Sequence, residues 1–331
     1  MAKLPVLIDC DPGIDDAVAI LFALATPTLE VKAITTVSGN LLADQCSTNA
    51  RKVLKLSGIP GACDIPVAQG RLTPLVRPYP KDPFSHGADG LGELAIEESG
   101  IEGDPRFAPD LIIETANSSC SGDGPKLTIL CLGPLTNLAL AHFKDPGLPK
   151  KVETVFFIGG SFGFHSTGTV RSTGTGPTSE WNVVVDPEAA NVVFAAGFNL
   201  VAIGLDVVTR PDVVFTAHHL QQLKEATDRG NPSAGFLLGV VEWGKSLDFT
   251  SWCTTIDSTA VAACIDRTII ETEQIRCAVE TKGELTLGQT VVDRREKFGW
   301  THLPVIQAAS DIDSQKFLDL LVGTICAAVK T

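Results

Sequence analysis

The sequence predicts one α/β domain, a mainly parallel, doubly wound sheet flanked by helices with its ligand site at the carboxyl ends of the strands. Three observations lead there. Short apolar, β-branched runs alternate with helix-like stretches from one end of the chain to the other. Several of those runs stop abruptly at glycine or at polar residues. The first run opens directly onto four carboxylates within eight residues, DCDPGIDD, Asp9 to Asp16. A length of 331 residues suits one large domain, and neither a composition break nor an internal repeat divides it, so residues 1–331 are read as a single unit.

The acidic stretch organises the rest. It follows Val6-Leu7-Ile8, a predicted buried strand, and precedes AVAILFALA, a predicted helix; Pro12 and Gly13 make the turn. Two unit charges 4 Å apart repel by about 1 kcal/mol in water and about 4 kcal/mol at an effective dielectric near 20. A segment selected only for folding would not gather that repulsion at the end of a buried strand. A hard cation converts it to attraction, and oxygen ligands suit Ca²⁺ or Mg²⁺ rather than zinc. The plainer reading, carboxylates complementing the positive end of a helix, covers Asp15 and Asp16 but not Asp9 and Asp11.

The remaining elements follow in order. Val31 to Val37 is a second strand closed by Ser38-Gly39-Asn40, and a helix runs on through Asn49 and Leu54. Gly70 to Gly92, with prolines at 74, 78, 80 and 83 and then His86-Gly87-Ala88-Asp89-Gly90, reads as a long functional loop. Pro109 to Ser118 is helical, LTILCL (127–132) a buried strand, Thr136 to His142 a helix, and TVFFI (154–158) a strand. A loop rich in glycine, serine and threonine leads to Glu180-Trp181-Asn182 and a helix from Pro187 to Ala196. LVAIGLD (200–206) is a strand with a terminal carboxylate. Helices near 212–226 and 232–248 lead to Asp257, which opens STAVAACI; strands and turns from Ile275 to Ala308 and a helix near 313–329 complete the chain.

Composition limits the partners. A formal net charge of −13 argues against a nucleic-acid backbone. Nine cysteines without a CxxC pair fit a reducing compartment, so a cytoplasmic location is expected. No signal peptide or membrane span is read. GVVEWGKS (239–246) satisfies the Walker A expression, but its bulky residues and Glu242 suit a helix and would repel phosphate. GGSFGF (159–164) lacks the spacing and following helix of a dinucleotide fingerprint.

The segments DCDPGIDDAVAI, ITTVSGN, HGADGLG, LGPLTNLALA, FFIGGSFG, EWNVVVDPEAA and GELTLGQTVVD, in that order over residues 4 to about 293, together resemble the nucleoside hydrolases, calcium-dependent N-ribohydrolases. The resemblance implies Ca²⁺ held by the carboxylates of Asp11, Asp16 and Asp257 and by the main-chain carbonyl of Leu132. It implies that Asp15, Asn40, Glu180, Asn182 and Asp257 hold the ribose hydroxyls, with His86 on a nearby loop. Asp11 would deprotonate a Ca²⁺-bound water, and Asp9 would orient its neighbours. The expected substrate is a ribonucleoside, and the expected assembly a homodimer or homotetramer. Such chemistry passes through an oxocarbenium-like state, which carboxylates around the sugar stabilise.

Two departures from the family stand out. Ile256 precedes Asp257 where many members place a histidine that protonates the leaving base, and a purine-specific branch a tryptophan. Thr169 aligns where other members use asparagine for the 5′-hydroxyl. With no acid at 256, the base is expected to leave stabilised by protonation from solvent or from a loop group, or by stacking on Phe84, Trp243, Phe249 or Trp252; the protonatable N7 and wide π face of purines lean the expectation toward purine ribonucleosides such as inosine and guanosine. Ile256 also motivates the rival reading, a catalytically silenced nucleoside-binding protein on the same fold.

Overall fold

The strand that ends in the acidic stretch is an interior strand, third of eight from one edge of the sheet. The computed structural model describes residues 3–81, 85–121, 124–165, 172–177, 179–247, 251–297 and 299–328, the side chains of 251 and 252 excepted. The first half contains β1 (Leu4–Cys10), α1 (Ile14–Ala25), β2 (Leu29–Thr36), α2 (Ala43–Ser57), β3 (Val67–Gln69), α3 (Ala108–Cys120), β4 (Leu127–Cys131), α4 (Thr136–Lys144) and β5 (Val152–Ile158). There follow α5 (Trp181–Val185), α6 (Pro187–Ala195), β6 (Leu200–Ile203), α7 (Leu205–Val208), α8 (Ala217–Asp228), α9 (Pro232–Ser246) and α10 (Ser258–Ile265). The last elements are β7 (Ile270–Ile275), β8 (Cys277–Val279), β9 (Thr290–Val292), β10 (Ile306–Ile312) and α11 (Ser314–Ala327).

Eight strands form one sheet in the order β3-β2-β1-β4-β5-β6-β10-β7, and β8 and β9 pair separately. All neighbours in the large sheet are parallel except β10 and β7. From β1 the chain winds outward through β2 and β3, then returns to place β4 on the other side of β1. That reversal opens a crevice at the carboxyl ends of β1 and β4, where ligands bind in open α/β sheets. The acidic stretch leaves β1 into this crevice.

Period-two burial shows why both faces are covered. Val6, Ile8 and Cys10 join one core with α1, α9 and α11, while Leu7 joins the other with α3, α4 and α6. Phe156 and Ile158 of β5 face the first core, Val155 and Phe157 the second. Strands buried on both sides read as unbroken apolar runs, which is how LTILC and VFFI stand in the sequence. Among the described residues no helix is long and apolar enough to cross a membrane.

The structure departs from expectation in places. LVAIGLD does not run as one strand: β6 stops at Ile203, and Asp206 sits within α7. A Cβ at Gly204 would lie 2.6 Å from the Gly160 carbonyl oxygen, so the chain turns there against β5's outgoing loop. Asp206 accepts the backbone N–H groups of Phe162 (2.6 Å) and Phe164 (2.9 Å), so GGSFGF is a loop clamped by a carboxylate. The Walker-like GVVEWGKS lies inside α9 and has no phosphate-binding loop to offer. The expected helix at 212–226 begins only at Ala217, after Thr216 caps it by accepting from His219 N.

A buried carboxylate locks the second layer together. Asp186 accepts from Ala189 N at the start of α6 (3.0 Å), Thr136 Oγ1 at the start of α4 (2.6 Å), and Leu75 N in the long loop (2.8 Å). Replacing it leaves three donors short of an acceptor. Asp186→Ala is expected to lower stability by about 2–3 kcal/mol in urea unfolding at neutral pH; a change below about 0.5 kcal/mol would show these bonds to be dispensable.

Candidate active site and metal centre

Hydrogen bonds hold the acidic turn from behind. Asp9, fully buried at the end of β1, accepts from Thr35 Oγ1 of β2 (2.7 Å) and Asn137 Nδ2 of α4 (2.8 Å). Asn137 also donates to the Thr36 carbonyl at 3.0 Å, so one amide ties the ends of two strands. Asp16, in the first turn of α1, reaches back to accept from Gly13 N (3.0 Å) and Asp11 N (3.1 Å). Asn40, just past β2, donates its backbone N–H to Asp11 Oδ2 at 2.6 Å and its Nδ2 to Asp16 Oδ2 at 3.1 Å.

Asp11 is buried, and its Oδ1 has no hydrogen-bond donor. Backbone presses on both its oxygens: a Cβ at Gly39 would lie 2.0 Å from Oδ2, and one at Gly133 would lie 2.4 Å from Oδ1. Glycine at these two positions is what leaves room for the carboxylate. Asp257, at the cap position of α10, is buried and makes no capping hydrogen bond with its side chain. It faces Asp15 and Asp16, and carboxylate oxygens from these three residues lie within 4.8 Å of one another.

Electrostatics follow from that crowding. Burial, then the charge of Asp16, pushes the Asp11 carboxyl well above the ordinary carboxylate range. Burial, then Asp15, Asp16, Asp11 and Glu180, does the same to Asp257. Burial raises Asp16 against the hydrogen bond from Gly13, and raises Asp9 to about 7 against those from Asn137 and Thr35. Among the described residues no lysine or arginine pairs with Asp11, Asp16 or Asp257. A buried oxygen-only cluster with an undonated Asp11 oxygen fits a hard divalent cation.

The other expected residues arrange themselves unequally. Glu180 caps α5: its carboxylate accepts from Asn182 N (2.9 Å), Val183 N (3.0 Å) and Gly160 N (3.1 Å), while burial still raises it to about 7. Asn182 donates to the carbonyls of Leu132 (2.6 Å) and Ile158 (3.0 Å). His86 accepts from Ile14 N at 3.1 Å and lies 3.8 Å from Asp15 Oδ1, so the long loop does fold over the acidic turn.

Trp243 lies against the long loop. Its indole N–H donates to the Ser85 carbonyl at 3.3 Å, and its ring packs close over Gly87 and Gly92, bracing the loop that carries His86. Phe84, Phe249 and Thr169 lie outside the described residues, as does the side chain of Trp252. Ile256 packs against the larger apolar core. Of the expected metal ligands, Asp16 and Asp257 converge with Asp15, a residue expected only to hold ribose; Asp11 joins them through Asp16 and Asn40. Sequence reading missed Thr35 and Asn137, whose sole signal was a polar residue in an otherwise apolar segment.

The chain and its fold have relatives. Residues 6–319 match the sequence family described as inosine-uridine preferring nucleoside hydrolase. The pyrimidine-specific ribonucleoside hydrolase RihA of Salmonella paratyphi C (strain RKS4594) is 34% identical over 323 residues, 96% of this chain and 97% of that protein. A plant nucleoside hydrolase, PpNRh1, superposes with a TM-score of 0.84 at 30% identity, covering 98% of this chain and 99% of its own. The purine-preferring ribonucleoside hydrolase from Gardnerella vaginalis gives a TM-score of 0.82 at 26% identity over 98% and 99% of the two chains. With a match running from β1 into α11, the chain belongs to the nucleoside hydrolase family and is an N-ribohydrolase.

Proposed function

We propose that this enzyme hydrolyses the N-glycosidic bond of ribonucleosides with the help of Ca²⁺, and that pyrimidine ribonucleosides are among its substrates. The observation carrying the catalytic reading is the buried carboxylate cluster around Asp11, whose Oδ1 lacks a donor. Asp11, Asp16, Asp257 and the Leu132 carbonyl would hold the ion, with Asp15 close enough to join them or to turn to the sugar. When bound, Ca²⁺ supplies the charge that neutralises the cluster, fixes the 2′ and 3′ hydroxyls and acidifies water.

The chain's own residues do the rest. Asp15, Asn40, Asn182 and Asp257 orient the ribose diol, and Glu180 holds Asn182 in place while adding negative charge near the ring. Asp11 takes the proton of the attacking water at Oδ1, and Asn40 keeps its other oxygen fixed. As the glycosidic bond lengthens, positive charge grows on the sugar and the surrounding carboxylates stabilise it. His86 and Trp243 hold the long loop over the site.

The leaving base decides the substrate. Ile256 donates no proton, and the contacts of Trp243 with the long loop give that residue another role than stacking. Uracil departs as an anion whose charge spreads over two carbonyl oxygens, and so tolerates the lack of an acid. The pyrimidine specificity named for RihA supports the same reading. The kcat/KM for uridine is expected to equal or exceed that for inosine; a clear advantage for inosine would restore the purine lean.

Asp11→Asn keeps an oxygen for the ion and loses the base. Its kcat is expected to fall about 100- to 10,000-fold with Ca²⁺ still bound; a near-normal kcat would mean that another residue takes the proton.

Stability should report the buried carboxylates directly. Asp9 and Glu180 titrate near 7 in the folded chain, and Asp11, Asp16 and Asp257 are shifted the same way. Between the unfolded values near 4 and these raised ones, the folded state binds more protons, so stability is lost as pH rises through that window. Chelated protein is expected to melt about 5–10 °C lower at pH 8 than at pH 5.5, and Ca²⁺ to restore most of the difference. A melting temperature that rises with pH in the chelated protein would contradict this.

A further inference from the structure

The amide of Asn182 connects two strands at the crevice. Its Nδ2 lies 2.6 Å from the carbonyl oxygen of Leu132, which follows β4, and 3.0 Å from that of Ile158, the last residue of β5. Both partners can only accept, so the amide has one workable orientation. A flipped side chain would set Oδ1 against two carbonyl oxygens. With both N–H bonds committed, the side chain keeps only Oδ1 for other work, and that atom can only accept.

Its position is firmly fixed. Asn182 is buried on a one-and-a-half-turn helix whose cap, Glu180, accepts the backbone N–H of Asn182 itself and of Val183. Glu180 also accepts from Gly160 N, tying the same short helix to the loop that leaves β5. Leu132 itself is held from behind as well, because its N–H donates to the Asp9 carbonyl at 2.7 Å. Gly133, next in the chain, packs against Asp11.

We propose that Asn182 is a positioning residue for the cation: its Nδ2 fixes the direction of the Leu132 carbonyl, leaving that oxygen's second lone pair for the ion, while its Oδ1 accepts from a ribose hydroxyl. This rests on the reading of a Ca²⁺ site given above and adds a coupling to it, since one side chain touches both the ion's carbonyl and the sugar. A residue that only held ribose would leave ion binding unchanged in the absence of nucleoside. One that only tied β4 to β5 would lower stability without changing ion affinity.

The test is calorimetric titration of Ca²⁺ into the chelated full-length protein without nucleoside, for wild type, Asn182→Ala and Asn182→Asp. Loss of such an outer partner typically weakens a metal about 10- to 100-fold, and that is the fall expected for Asn182→Ala. Asn182→Asp adds a negative charge, which by itself would tighten a cation, but removes both N–H donors; its affinity is expected to stay at or below that of wild type. Bound Tb³⁺ should show a shorter luminescence lifetime in water in Asn182→Ala, because water replaces the misdirected carbonyl. Melting curves of the chelated proteins separate this from lost folding. Wild-type affinity in Asn182→Ala, or an unchanged Tb³⁺ lifetime, would overturn the positioning role and leave the Ca²⁺ reading standing. Absence of Ca²⁺ uptake by wild type would overturn both.

Discussion

Mutual repulsion among carboxylates buried at one end of a sheet is the constraint on which the rest of this structure depends. Asp9, Asp11, Asp15, Asp16, Glu180 and Asp257 are all buried around the crevice. Each would be more comfortable in water, and burial is the first cause of every raised carboxyl among those whose shifts are resolved here. The fold tolerates them by spending backbone donors on them: Gly13 and Asp11 on Asp16, Asn40 on Asp11, and three N–H groups on Glu180. Those bonds soften the charge without cancelling it, and the remainder is what a divalent cation and a cationic sugar ring would meet.

The topology explains why the carboxylates can be brought together at all. Four come from a single stretch of eight residues, but Asp257 is more than 200 positions away and arrives because α10 packs on α1. Asn40, Leu132 and Glu180 arrive on the loops after β2, β4 and β5. The crevice forms where the winding reverses between β1 and β4, and Asn137 and Asn182 stitch neighbouring strand ends there. Loops can therefore carry the chemistry while amides anchored in the sheet fix their geometry.

Much of this was legible in the sequence because it rests on local signals. The apolar runs marked β1, β4 and β5, and charge density alone singled out DCDPGIDD, whose carboxylates the fold buries at the crevice. What was not legible depended on distance or on small size. β3 and β9 have three residues each, too few for a pattern. The place of β10 between β6 and β7 is a matter of tertiary pairing. LVAIGLD read as one strand because hydrophobicity does not register the close contact of Gly204 with Gly160. Trp243 shows the same limit at the site: an aromatic near a ligand pocket and an aromatic bracing its loop have the same sequence signature, and only the contacts to Ser85, Gly87 and Gly92 separate them. Asp15 was assigned to ribose by resemblance, yet it lies with Asp16 and Asp257 in one oxygen cluster, a grouping that the order of residues along the chain does not specify.

The most direct test of the account is ribose release from uridine by exhaustively chelated protein, followed as Ca²⁺ is added back. The account predicts negligible turnover without the ion and a saturating recovery at about one equivalent per chain, as expected for a single oxygen-lined site. Full turnover by demonstrably metal-free protein would contradict it.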